Sequence, residues 1–444
     1  MALVLPHTYC PTTRQLSFHT VIPPEFEEFN MSRLLLPALI TLLMTSTTFA
    51  ADWIGFRGPG GSGASSEKNL PVEWSTDSNI AWKLELPGAG ASSPTILGDR
   101  VYLTCYSGFG DGGKGGTVED LKLHVVAIDR NNGKIVWQKE EEPRQPESRR
   151  VRDHGYAAPT PTTDGENLYV FFGKTGVLAF DLDGNKLWQT PVGDRTHGWG
   201  CGTSPVLFED LVIVNASVES GSLVALDKKT GEEVWKAGGM RASWNTPCLV
   251  EVADGKTELV VSVKGQILGF DPLSGEQLWS CDGIQDYVVP SVITQDGIVY
   301  VIGGRTSRAI AVRAGGRGDV TDTHRLWEAK AGANVCSPVI HKGHLYWVSD
   351  RNRVAYCLDL KDGKIVFQQR FPEQPYASVV YGDGKLYVAT RFGGTYVLAA
   401  NPEFEQLSHN RVEEGGRFNA SPAIANGKLY LRSDTHLYCI GGAK

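Results

Sequence analysis

At 444 residues, with 41% hydrophobic and 21% charged side chains, the chain carries enough apolar material for several ordinary cores or one large repeated core. A formal net charge of -7 spread over that length leaves no basic stripe able to track a phosphate backbone, so nucleic acid is excluded as a partner. The 51 glycines and 11 tryptophans, with few runs of helix formers, point to strands and turns and thus to an all-β protein.

Residues 1–30 carry Pro6, Pro11, Pro23 and Pro24 without a period and read as a doubtful N-terminal extension, Met31 being the more sensible start for export. Residues 31–50 read as a signal peptide: Met31-Ser32-Arg33, an apolar stretch from Leu34 to Met44, then Thr48-Phe49-Ala50 before Ala51-Asp52. That stretch falls far short of the roughly 20 residues a membrane-spanning helix needs. No cysteine directly follows Ala50, so no lipid anchor is expected there. The mature chain is expected to be periplasmic or secreted, without a transmembrane segment, and a monomer. Residues 51–78 are expected to pack outside the repeated ring that follows.

From residue 79 to 444 one phrase recurs: a small residue, Asp, a Gly turn and an aromatic four residues after that Gly. It reads Ala127, Asp129, Gly133, Trp137; then Ala179, Asp181, Gly184, Trp188; then Ala225, Asp227, Gly231, Trp235; then Gly269, Asp271, Gly275, Trp279. A degenerate copy has Cys357, Asp359, Gly363 and Phe367. A proline opens each unit at Pro94, Pro159, Pro205, Pro247, Pro290, Pro338 and Pro422, with Val379 in its place once, which makes eight units. Each unit reads as a four-stranded antiparallel sheet, because its apolar runs are strand length and turn residues separate them. The Asp-x-x-x-Gly step suits a tight turn, Asp capping it and Gly tolerating positive φ. The aromatic then starts the outer strand and docks on the neighbouring sheet. The docking positions are Trp82, Trp137, Trp188, Trp235, Trp279, Trp327, Phe367 and approximately Leu407. The last unit lacks an outer strand, and Asn79–Leu86 can supply it. The fold predicted is an eight-bladed β-propeller closed by its N-terminal strand, with no exposed sheet edge between its ends.

The Ala-x-Asp-x-x-x-Gly-x-x-x-Trp phrase resembles the repeat of pyrroloquinoline quinone (PQQ) dehydrogenase propellers and of the outer-membrane assembly lipoprotein that shares their fold. The resemblance spans residues 79–444 and implies a fold much more than a reaction. Trp53-x-x-Phe56-Arg57-Gly58-Pro59-Gly60 is similar to the start of many exported proteins with this repeat. For the alcohol dehydrogenases of this fold, the resemblance implies a vicinal disulfide, a quinone packed on Trp, a carboxylate and amide holding calcium, and an Asp base. No two cysteines are adjacent here and no Cys-x-x-Cys-His motif is present, so the chain leans away from an enzyme. PQQ and calcium are expected only on the oxidoreductase alternative. Cys105, Cys201, Cys248, Cys281, Cys336, Cys357 and Cys439 match no zinc spacing, and no metal site is expected.

Segments running from one outer strand to the next inner strand line the mouth of the central channel in a propeller. They hold Arg152, Asp153, His154 and Tyr156; His197 and Trp199; Trp244 and Asn245; Asp286 and Tyr287; Asn334; Tyr376; and Arg417 and Asn419. Aromatic, amide and charged groups from different blades meet there, able either to bind a ligand or to plug the channel by satisfying one another. No catalytic residue is assigned. Three functions stay open: a noncatalytic binding or assembly scaffold, first; a PQQ-dependent oxidoreductase of alcohols or sugars; and a carbohydrate-binding accessory protein. A protein or glycan is the partner expected.

Overall fold

The computed structural model of the protein describes residues 52–110, 115–412 and 416–441. The expected extension and signal peptide lie outside the described residues. Among those residues no helix is long and apolar enough to cross a membrane. The strands form eight sheets, each with four antiparallel strands and two of them extended by a fifth, parallel strand, and together they make an eight-bladed β-propeller. The first blade runs outward from the channel as Thr95–Leu97, Arg100–Ser107, Lys122–Asp129 and Ile135–Glu141. Its middle strands are continuous apolar runs with Val101, Leu103, Val125 and Val126 wholly buried, because both faces press on neighbouring sheets. The outer strand alternates and leaves Val136 in solvent. Ile80–Glu85 pairs antiparallel with His436–Ile440, Trp82 opposite Cys439, and so forms the outer strand of the eighth blade.

Docking between blades follows one geometry. The indole N–H of Trp82 donates to the Arg130 carbonyl at 2.8 Å, Trp137 to Leu182 at 2.9 Å, Trp188 to Lys228 at 2.9 Å, Trp235 to Pro272 at 3.0 Å and Trp327 to Leu360 at 2.8 Å. Each ring covers the turn glycine of the next blade, respectively Gly133, Gly184, Gly231, Gly275 and Gly363, where a Cβ would stand only 2.5–2.8 Å from a ring carbon. The turn aspartates cap as expected; Asp227 Oδ1, for example, accepts the Lys229 and Thr230 amides at 2.9 and 2.7 Å.

Two positions depart from this pattern. Trp279 turns into its own blade and donates to Glu258 Oε2 at 2.7 Å, a place open only because residue 269 is glycine. The fifth blade carries an insertion there instead of the short turn, and its Arg317 pairs with the buried Glu258 at 2.9 Å. In the seventh blade the docking register falls on Ser408, opposite Val397, not on Leu407, which is exposed. The Ser408 hydroxyl donates to the Val72 carbonyl and buried Trp74 packs nearby, its amide held by Asn410 Oδ1 at 2.9 Å. Phe367 packs edge-on against Phe404.

The opening proline also needs correction in two blades. The residue directly before the innermost strand is Pro161 in the second blade and Val292 in the fifth, so Pro159 and Pro290 lie two residues upstream of the repeat position. In this register a Ser or Thr precedes every opening residue. Their hydroxyls link the blades around the channel: Ser93 N donates to Thr160 Oγ1, Thr160 N to Ser204 Oγ, Ser204 N to Thr246 Oγ1, and Thr246 N to Ser291 Oγ. The chain continues through Ser337 and Ser378 to Ser421, with distances of 3.0 Å. At the seam between the eighth and first blades the Ser93 hydroxyl has no partner among the described residues. There the buried Arg432 guanidinium instead donates to the Ser92 and Thr104 carbonyls at 2.9 and 2.8 Å.

Residues 52–78 make no blade, and their path sets the floor of the channel. Trp53 bridges to Ile96 of the first blade, the Ile54 carbonyl accepts Thr163 N of the second, and Ala64–Ser65 runs parallel to Tyr381–Gly382 of the seventh. Between these anchors the fully buried Arg57 guanidinium donates to the Gly61, Ser62, Pro338 and Val379 carbonyls, with no carboxylate paired to it among the described residues. Burial lowers its pKa to about 9. Gly63 is required there, since a Cβ would overlap that guanidinium.

Candidate functional site at the channel mouth

At the opposite end of the channel the connecting segments enclose a cavity of about 390 Å³ with Phe56 in its lining, which is the floor seen from above. One wall is aromatic. The Trp199 ring lies 5.0 Å from Trp244 and 4.6 Å from Tyr287, in tilted and edge-on contacts. Trp244 is the buried backing of that wall, its indole N–H held by the Gly200 carbonyl at 2.9 Å, and Trp199 is the half-buried ring in front. His197 stands behind both indoles at 5.4 and 5.0 Å and accepts the Trp199 amide at 3.0 Å. Desolvation lowers its pKa, which favours the neutral ring.

The other wall is polar. Asp153, in a left-handed conformation with φ 56°, pairs with Arg391 at 2.8 Å, and its carbonyl accepts the Asn419 amide at 2.7 Å. Arg391 also lies over the Tyr376 ring at 5.1 Å. Asp350 Oδ1 accepts the Asn334 and Val335 amides at 2.8 and 3.0 Å, and burial pushes its carboxyl up from the ordinary range. Gln374 donates to the Asp350 carbonyl at 3.0 Å. Arg152 and His154 complete this side, His154 with its pKa lowered by burial. Asn334 Oδ1, Asn419 Oδ1 and Arg391 Nε are buried atoms without a partner among the described residues.

Of the residues expected at the mouth, Arg152, Asp153, His154, Trp199, Trp244, Tyr287, Asn334, Tyr376 and Asn419 line the cavity. The others hold the connecting segments in place. Tyr156 packs edge-on against Tyr106 at 5.4 Å and donates to the Ser148 carbonyl. Asn245 is wholly buried, its carbonyl accepting Asn215 Nδ2 at 3.0 Å. Asp286 is chelated by Arg305 Nε and Nη2 at 3.1 and 2.9 Å, which draws its pKa to about 2, while Arg305 covers the Tyr287 ring at 5.0 Å. Arg417 Nε donates to Asp434 Oδ2 at 3.0 Å. Sequence reasoning missed Asp350 and Arg391, which follow the second strands of their blades, as well as Gln374 and the floor residue Phe56.

The residues present do not fit a calcium-bound quinone. Both cavity carboxylates are committed, Asp153 to Arg391 and Asp350 Oδ1 to two amides. Among the described residues no cluster of three His, Cys, Asp or Glu side chains could hold a metal. Two arginines face two aspartates in the lining, whereas a tricarboxylate quinone asks for an excess of cations.

The family model described as outer membrane protein assembly factor BamB matches residues 62–200 and 194–323. The chain is 23% identical over 339 residues to BamB of Yersinia pestis, which covers 71% of this chain and 78% of that protein. It is 22% identical over 240 residues to a polyvinylalcohol dehydrogenase of a Pseudomonas species, covering 50% of this chain but only 31% of the dehydrogenase. Among solved structures, BamB from Moraxella catarrhalis superposes with a TM-score of 0.61 at 14% identity, over 82% of this chain and 97% of that one. A quinohemoprotein alcohol dehydrogenase from Comamonas testosteroni gives 0.63 at 12% identity, over 89% and 81%. At such identities both structures speak to the fold alone. With more than half of its length matched by the family model, the chain belongs to the PQQ-like repeat propeller family described as outer membrane protein assembly factor BamB.

Proposed function

We propose that this protein is an exported, noncatalytic scaffold that works in outer-membrane protein assembly and engages a protein partner at the mouth of its channel. The carrying observation is the state of the mouth's ionised groups. Asp153 is neutralised by Arg391 and Asp350 is tied to backbone amides, which leaves a recognition surface and no paired nucleophile and base. Family membership supports the same reading, since the family model and the Yersinia pestis relative are named for BamB. An extracytoplasmic location agrees with the leader read at residues 31–50.

The test is genetic and biochemical. Deleting the chain from the organism that makes it should lower the amount of folded outer-membrane β-barrel protein, measured by heat-modifiable migration. Wild-type protein should restore it, and a Trp199→Ala, Arg391→Ala double variant of normal abundance should not. Unchanged barrel levels after deletion refute the assembly role, and full restoration by the double variant refutes the mouth as the contact.

A further inference from the structure

We infer that the cavity beneath the mouth is a binding site for a neutral saccharide, held between the Trp199 face and the amides of Asn334 and Asn419. This goes beyond the assembly reading and does not depend on it. The size agrees: about 390 Å³ lies within the range of small-ligand pockets.

Charge selects the class of ligand. Arg152 and Arg391 balance Asp153 and Asp350 in the lining. A cation would normally seek the tyrosine faces, but guanidinium groups already cover both, Arg305 over Tyr287 at 5.0 Å and Arg391 over Tyr376 at 5.1 Å. An anion could reach Arg152 but would also meet Asp153 and Asp350, the latter buried beside Asn334, and finds Arg391 already paired. An uncharged ligand escapes both conflicts.

Hydrogen bonding narrows the class to polyhydroxylated molecules. Asn419 is more than nine-tenths buried, and its Oδ1, like that of Asn334, has no donor; Arg391 Nε has no acceptor. A wall short of both donors and acceptors is matched by hydroxyls, which supply both. The Trp199 ring, backed by Trp244 and Tyr287, offers the flat apolar surface on which the C–H face of a pyranose packs. A purely apolar ligand would leave the buried amide carbonyls unpaired at about 1–3 kcal/mol each.

The test titrates the exported, processed protein with glucose, N-acetylglucosamine, maltose and cellobiose, followed by tryptophan fluorescence. Glucuronate and protonated glucosamine serve as charged counterparts. At least one neutral sugar should quench to saturation, with the charged sugars about tenfold weaker. Trp199→Phe should remove most of the signal change, and Asn334→Ala should weaken binding about tenfold at an unchanged melting temperature. Should Asn419→Ala fold poorly because its bond to the Asp153 carbonyl is lost, Asn334→Ala still decides the question. Absence of saturation by all four neutral sugars overturns the inference, as does equal affinity for charged ones. Unchanged affinity in Asn334→Ala would move the sugar out of this cavity. None of these results bears on barrel assembly, so the two readings fail separately.

Discussion

Gly231→Ala tests whether blade docking rests on an indole seated over a bare turn. Gly231 has φ +74°, and a Cβ there would lie 2.5 Å from a ring carbon of Trp188, whose N–H donates to the Lys228 carbonyl at 2.9 Å. Holding alanine in the left-handed region costs about 1–2 kcal/mol. Pushing the indole away adds about 1–3 kcal/mol of overpacking and about 1 kcal/mol for the hydrogen bond, so the whole change is about 3–6 kcal/mol. Gly384→Ala is the matched control: φ is +72° and nothing lies within 4 Å of the added atom, which leaves the backbone cost of about 1–2 kcal/mol alone. Urea denaturation of both variants beside the wild type should rank the midpoints wild type, Gly384→Ala, Gly231→Ala. Equal midpoints for the two variants would refute the reasoning, since strain at a positive φ would then account for everything and the indole for nothing.

The two tryptophans of the mouth should separate. Trp244→Ala removes a buried ring and should cost about 3–5 kcal/mol in denaturant, whereas Trp199→Ala, at the half-buried front, should stay within about 1 kcal/mol of wild type. Glu219 is buried and its pKa is raised to about 7 by desolvation, so it binds a proton in the folded state that the unfolded chain gives up near 4.5. Stability should therefore fall as pH rises from about 4.5 to about 7, and Glu219→Gln should flatten that slope in a pH series of melting temperatures. Arg432→Ala leaves the Ser92 carbonyl unpaired at the closing seam, at about 1–3 kcal/mol, and leaves the Thr104 carbonyl only the Ser92 hydroxyl at 3.3 Å. Amide hydrogen exchange should then rise first in the first and eighth blades; a uniform rise would show that the seam is not the weak point.

The ring was legible because its repeat is local. Asp-x-x-x-Gly-x-x-x-Trp places cap, turn and docking ring within nine positions, and Trp82 ahead of the first unit announces the strand that closes the eighth blade. Errors came where a neighbour, not the repeat, decides the conformation. Leu407 read as a docking residue because it is apolar, yet the bulge register gives that position to Ser408 and buried Trp74 packs nearby. Pro159 and Pro290 look like openers until the hydroxyl chain through Thr160 and Ser291 places the first strand two residues later. Trp279 matches the phrase but sits on no turn glycine of the next blade, because the fifth blade's insertion brings Arg317 to Glu258 and replaces the short turn on which the ring would sit.

The mouth was legible in outline for a topological reason that also explains what was missed. Successive strands of a blade alternate in direction, so the segment entering the first strand and the loop leaving the second open on the same face. The first set holds Trp199, Asn334 and Asn419, which the repeat makes legible, and the second holds Asp350 and Arg391, which it does not. Which of the named residues face the cavity depends on partners that the repeat does not encode. Asp286 and Arg417 carry the charges a site would want, but each is spent on a side chain across its own blade, Arg305 and Asp434. Asp153 looks equivalent in sequence and differs in effect, because its partner Arg391 comes from another blade, the seventh, and lines the cavity with it. An ion pair closed within one blade fixes a loop, whereas one closed across the channel builds its wall.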